Sequence, residues 1–177
     1  MAMILAFAGS NSSTSINYKL VKYTIGLIEG HQVQRMNMAD YPFEMYSADV
    51  ERKNGFSNSL VELKNDISNA DALIISVNEH NGHLSAYFKN VLDWLSRIER
   101  KFLTDKKIFL MSTSPGKGGG KNALEIADKM LSRFGGTILS SFSLPSFNDY
   151  FNGNEGIQDV ELSEHHQNAL TEFLKSL

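Results

Sequence analysis

Seven of the nine residues from Gly9 to Asn17 are Ser, Thr or Asn, and they follow directly on an apolar run, Met3–Ala8, that reads as a β-strand. A helical pattern begins within a residue or two. A strand that ends at glycine and feeds a hydroxyl-rich helix start builds an anion cradle. Gly9 permits a sharp turn, the first free N–H groups of the helix point at the ligand, and the helix dipole favours negative charge. Ser10, Ser12 and Ser15 add neutral donors without bulk, with Ile16 and Asn17 at the helix start. An ordinary N-cap needs only one or two such residues. The segment contains no Lys or Arg, which suits a terminal monophosphate and suits a magnesium triphosphate poorly.

Two further segments share this character. Asn78-Glu79-His80-Asn81-Gly82-His83-Leu84 has an Asn-Gly turn signal at its centre. Glu79, His80 and His83 invite a metal reading, but their spacing is not specific and no fourth ligand is evident, so no metal is expected. A backbone surface that hydrogen-bonds the edge of a flat ring competes with a plain turn here. Ser112–Asn122 resembles a P-loop only superficially. Three residues separate Gly116 from Gly120 where that motif needs four, and Lys121 is followed by Asn122. Its four glycines suit close approach of backbone to a planar ligand, against the alternative of a flexible turn.

The elements that must carry these segments alternate in type. Strands are expected at Met3–Ala8, Gln32–Met36, Ala72–Val77, Lys107–Met111 and Thr137–Phe142. Helices are expected from about Ser15 to Glu29, Asn58 to Ala70, Ser85 to Arg100 and Asn122 to Phe134, with a last one capped by Ser163. Residues Ala39–Phe56 show no clear period and read as a long surface excursion. Lys89 with Asp93, and Asn90 with Trp94, are i,i+4 pairs whose expected role is helix stabilisation and packing. Five strands alternating with helices predict one doubly wound, three-layer α/β domain spanning residues 1–177. In such sheets ligands sit beyond the carboxyl ends of the strands, where all three polar segments fall.

The totals exclude several classes. The chain has 177 residues, a net charge of -3 and a pI near 5.9, unlike a nucleic-acid binder. It has no cysteine, which removes disulfides, thiol redox chemistry, iron–sulfur clusters and thiolate zinc sites. The start lacks a basic n-region, and no apolar run reaches the ~18–20 residues of a membrane span. A cytoplasmic protein is expected. The cluster Arg97, Arg100, Lys101, Lys106 and Lys107 is interrupted by Glu99 and Asp105 and reads as solvated surface.

Taken together, the segments resemble the NAD(P)H-dependent FMN reductase family, of flavodoxin-like fold. Gly9, Ser10, Ser15 and Asn17 match its Gly-Ser-x-Arg-x-x-Ser-x-Asn signature, and Glu79, Asn81 and Gly82 match its Pro-Glu-Tyr-Asn-Gly turn. Phe88-Lys89-Asn90-Val91-Leu92-Asp93-Trp94 is similar to its Leu-Lys-Asn-x-Ile-Asp-Trp segment. Ser112, Ser114, Pro115, Gly116, Gly119 and Gly120 follow its Ser-x-Ser-Pro-Gly-x-x-Gly-Gly stretch. Three positions depart from the pattern: Ser12 replaces the signature arginine, Asn78 the proline and His80 the tyrosine.

The resemblance implies a five-stranded parallel sheet of order 2-1-3-4-5, with FMN as cofactor and NADPH or NADH as electron donor. It implies a phosphate held by Ser10, Ser12, Ser15, Ile16 and Asn17. The ring would be held by Asn78, Glu79, His80, Asn81 and Gly82 on one side and by Ser112, Ser114, Gly116 and Gly119 on the other. Hydride would pass through the cofactor to a small acceptor such as free flavin or a quinone, in a homodimer or homotetramer. No protein general base is required. A flavodoxin-like electron carrier without NAD(P)H turnover is the alternative, although such carriers tend to be more acidic. A degenerate member that no longer binds flavin tightly stays open too, whereas a phosphoacceptor domain lacks the acidic cluster at its strand ends.

Overall fold

Alternation of apolar side chains along the strands divides the interior into two cores on opposite faces of one sheet. In the computed structural model, which describes residues 1–153 and 155–177, five strands form that sheet: β1 (Met3–Ala8), β2 (Gln32–Arg35), β3 (Ala72–Val77), β4 (Lys107–Thr113) and β5 (Thr137–Leu144). All neighbours pair in parallel, in the order β2-β1-β3-β4-β5. Every residue of β3 is buried, as expected for a central strand covered on both faces.

Helices α1 (Ile16–Gly26), α2 (Ala48–Asn54), α3 (Asn58–Asn69), α4 (Ala86–Ile98), α5 (Lys121–Arg133), α6 (Phe147–Tyr150) and α7 (Val160–Lys175) complete the domain. Leu20 and Val21 of α1 and Leu170 and Phe173 of α7 pack on one face, against Ile4, Ala6, Ile74 and Phe109. Leu60, Leu63 and Ile67 of α3, Phe88 and Val91 of α4, and Ala123, Ala127 and Leu131 of α5 cover the other, against Leu5, Phe7, Leu73 and Ile75. Two antiparallel hairpins, pairing Glu79–His80 with His83–Leu84 and Phe151–Asn152 with Gly156–Ile157, project from the strand ends.

Two expectations require correction. The last helix is capped by Asp159, whose side chain accepts from the Leu162 amide. It therefore starts one turn before Ser163, whose own amide is already bonded to the Asp159 carbonyl. The stretch Ala39–Phe56 is also more than an excursion, because it contains α2. That helix buries no residue and so shows no apolar period. Its signals are a Ser47 cap, acidic Asp49 and Glu51 in the first turn, basic Arg52 and Lys53 in the last, and Gly55 after it. The strap is fastened to α4 by the residues read as helix packing. The Glu44 carbonyl accepts from Asn90 Nδ2 at 3.0 Å and Trp94 Nε1 at 2.7 Å, and Tyr46 N donates to Asn90 Oδ1 at 2.7 Å.

The basic cluster lies at the surface, and three of its lysines also bond backbone carbonyls there. Lys106 Nζ donates to the carbonyls of Ser68 and Ala70, Lys101 Nζ to that of Arg133 and Lys107 Nζ to that of Ser176. These amines close orphan carbonyls at helix C-termini around the base of the sheet.

One polar contact ties α1 to α7 inside the first core. The Thr24 hydroxyl donates to the Leu20 carbonyl at 2.9 Å and lies 2.9 Å from His166 Nε2, so the imidazole is the donor between them. His166 is fully buried among Tyr23, Phe109 and Phe142, and its Nδ1 finds no hydrogen-bond partner among the described residues. Burial lowers its pKa from 6.5 to about 4, and the ring is neutral at physiological pH. Among the described residues no helix is long and apolar enough to cross a membrane.

Candidate functional site

The first segment leaves β1 at Gly9. The glycine is needed for proximity: a Cβ there would stand 2.6 Å from Phe88 Cγ. The Gly9 amide donates to Ser76 O and its carbonyl accepts from Ser85 Oγ, at 2.8 and 3.0 Å, locking the turn between β3 and α4. Ser15 then caps α1, its hydroxyl accepting from Tyr18 N at 3.2 Å. The amides of Ser10, Asn11, Ser13, Ile16 and Asn17 find no acceptor among the described residues. Converging N–H groups at a helix start form an anion site. Ser12 and Thr14 are exposed and share a contact of 3.3 Å between hydroxyls.

Asn17 lies in this segment but turns inward, with 2% exposure. Its Oδ1 accepts from Ser76 Oγ at 2.8 Å and Thr113 N at 3.1 Å, and its Nδ2 donates to Thr113 O at 3.2 Å. The side chain thus pins the start of α1 to the ends of β3 and β4, and what Asn17 leaves for a ligand is its backbone amide.

The second segment forms the hairpin 79–84. Asn81 at φ 52 and Gly82 at φ 74 occupy the turn, the pairing of residue types that a two-residue hairpin with both central residues left-handed requires. His80, Asn81 and Gly82 are exposed at the tip. Glu79 faces away from it: Oε2 accepts from Ala123 N at 3.2 Å. That carboxylate caps α5, whose own N-cap Gly120 has no side chain to do so. Asn78 Nδ2 lies 3.3 Å from His80 Nε2, while Asn78 Oδ1 is buried without a partner among the described residues. Among the described residues no cluster of three His, Asp or Glu side chains could hold a metal.

The third segment divides into two parts. Ser114 and Gly116 reach the surface. Ser112 and Gly119, expected to meet a ring, face the protein instead. The Ser112 hydroxyl is fully buried and donates to Gly119 O at 2.8 Å, as does Ser143 Oγ at 3.0 Å. A Cβ on Gly119 would come within 2.4 Å of Ser143 Oγ. The buried glycines therefore let the loop fold back on β5, and the stretch from Ser114 to Gly118 is what reaches the surface.

The three segments meet on one rim at the carboxyl ends of the strands. Asn17 joins the first to the third, Ser85 joins the first to the end of the second, and Glu79 joins the second to α5. Ser76, Ser85 and Thr113 perform this joining and escaped the sequence reading. Only Ser85 carried a signal, as the cap three residues before Phe88. The only Lys or Arg residues of the three rim segments are Lys117 and Lys121 of the third, so the first loop presents amide dipoles and hydroxyls alone.

Comparison with known proteins agrees with this fold. The structure superposes on the flavoenzyme NAD(P)H:(acceptor) oxidoreductase FerB of Paracoccus denitrificans with a TM-score of 0.80 at 22% identity, covering 99% of this chain and 96% of that one. An uncharacterised Mycoplasma pneumoniae protein is 29% identical over 157 residues, 86% of this chain and 92% of its own. A quinone reductase of Escherichia coli is 34% identical over 84 residues, 48% of this chain and only 44% of that one. The model of the NADPH-dependent FMN reductases matches residues 2–149, from the first strand through all three rim segments, and the chain belongs to that family.

Proposed function

We propose that the chain is an FMN-dependent reductase that draws hydride from NADPH or NADH and delivers it to a small acceptor, a quinone or free flavin. The observation that carries the reading is the set of unengaged amides at the start of α1, in a loop with no carboxylate to repel a phosphate. Those amides and the hydroxyls of Ser10, Ser12 and Ser15 fit a flavin monophosphate. The hairpin tip at His80, Asn81 and Gly82 and the outer stretch at Ser114 and Gly116 stand on the same rim, suited to the polar edge of a flat ring.

FMN, when bound, supplies the relay between nicotinamide and acceptor. The chain's own work is positional and electrostatic. First-loop donors fix the phosphate, and ring-side N–H groups stabilise negative charge that builds on the ring. Asn17, Glu79, Ser112 and Gly119 act one layer behind, holding the loops in register. No side chain is required as a general base. We further infer a cytoplasmic homodimer or homotetramer, supported by the exposed apolar side chains Met45, Phe56 and Val61 on the strap and α3; light scattering checks the mass.

Reconstitution with FMN followed by anaerobic titration with NADPH and NADH tests the activity. Prompt bleaching of the flavin band at ~450 nm, the cofactor's own colour, is the expected outcome. Retention of FMN without bleaching would identify an electron carrier, and failure to retain FMN would remove the site assignment.

A further inference from the structure

A hollow of about 570 Å³ lies beside the rim, between the outer face of α1 and the segment after β5. Its volume is within the usual range for small-molecule sites, roughly 300–1,000 Å³. Lys19, Lys22 and Tyr23 form one wall; Phe147, Asn148 and Phe151 form the other, with Glu155 at the edge. We propose that this hollow takes the phosphorylated adenosine end of the nicotinamide donor and favours the form bearing a 2′-phosphate, a role that rests on the reductase reading above.

Three features specify that ligand. The first is charge. Lys19 and Lys22 are exposed, one helical turn apart, and neither forms an ion pair among the described residues. Lys22 Nζ rests 5.5 Å from the Tyr18 ring centroid. Glu155 engages Asn152 Nδ2 at 3.4 Å. A phosphate held by these two ammonium groups gains charge-assisted hydrogen bonds that a ribose hydroxyl does not.

The second is an aromatic platform. Phe147 and Phe151 stack with centroids 4.6 Å apart, and Tyr23 meets Phe151 edge-on at 5.7 Å. The Gly156 backbone closes the back of the hollow, where an added Cβ would stand 2.0 Å from Tyr23 Cε2. Half-buried Phe151 offers a surface for a purine, with the exposed Asn148 amide near its edge.

The third is position. Ser146 N and Phe147 N donate to the carbonyls of Gly116 and Ser114 at 2.9 and 3.0 Å, so this wall is anchored to the ring-side loop. Lys19 N donates to Ser15 O at 3.1 Å, one turn from the phosphate loop. A donor anchored here extends toward the rim.

Calorimetric titration of the FMN-reconstituted protein with adenosine 2′,5′-bisphosphate and with 5′-AMP tests the proposal. The bisphosphate is expected to bind about tenfold tighter, with the difference shrinking as salt rises. The double variant Lys19→Ala/Lys22→Ala should abolish that difference and raise the ratio of KM for NADPH to KM for NADH about tenfold. Unchanged bisphosphate affinity in the double variant would overturn the proposal. So would loss of FMN retention in that variant, which would assign the lysines to the flavin phosphate. Lysine-dependent bisphosphate binding by a protein that neither nicotinamide reduces would leave the hollow standing and remove the reductase reading.

Discussion

The first and third rim segments are both built from small residues, the first rich in serine and the third in glycine, yet they use their polar groups in opposite ways. In the first, five amides have no acceptor among the described residues, and the Asn17 side chain turns in. In the third, Ser112, Gly119 and their partner Ser143 close a buried network, leaving Ser114 and Gly116 outside. Small polar residues after a parallel strand mark a segment as part of the rim. Which of them remain for a ligand depends on partners supplied by distant elements.

Substituting Asn17→Ala is the strongest way to break that contrast. It removes the Asn17 partner of Ser76 Oγ and of the Thr113 backbone N–H and carbonyl, an expected loss of ~4 kcal/mol in urea unfolding, accompanied by loss of FMN. A fall in FMN affinity at full stability would show that the side chain touches the phosphate directly.

Acid sharpens the contrast, because it acts on α1 and leaves the third segment's network untouched. His166 has a folded pKa of about 4 against an ordinary 6.5, so within that window the unfolded chain binds a proton that the folded chain does not. Stability is complete above the upper value and falls as pH drops toward the lower, by ~3 kcal/mol in all. Thermal melts across the window should show this slope, and His166→Gln should flatten it.

Smaller effects are expected at the loops themselves. Gly119→Ala places a methyl group against Ser143 at a residue with φ +61, costing ~2 kcal/mol with little change in FMN affinity per folded molecule. Ser12→Arg returns a cation to the exposed first loop and should tighten FMN about tenfold, or ~1.4 kcal/mol. A Kd insensitive to this change, measured by flavin fluorescence, would argue that the phosphate lies elsewhere.

Much of this architecture was legible in the chain. The five strands, the helix faces at Leu60, Leu63 and Ile67, and the turn at Asn81-Gly82 follow from periodicity and turn chemistry that act locally. Helix α2 escaped because nothing in it is buried, leaving caps and charges as its only marks. Within the site, sequence located the segments but could not divide their labour. Glu79 looked like a ring contact and is a cap for α5; Ser112 and Gly119 looked like ring contacts and are internal braces. Glu79 bonds to Ala123 and Ser143 to Gly119 across tens of positions, and Ser112 reaches Gly119 across its own loop, pairings for which no local pattern exists.

The uneven distribution of cations gives the molecule two kinds of electrostatic sensitivity. Lysines close the base of the sheet and line the hollow beside α1, whereas the first loop offers only dipoles and hydroxyls. Ionic screening acts on charge pairs in solvent far more than on short contacts to oriented N–H groups. Moderate changes in the salt of its surroundings would then regulate how readily this protein accepts a donor while leaving its prosthetic group in place.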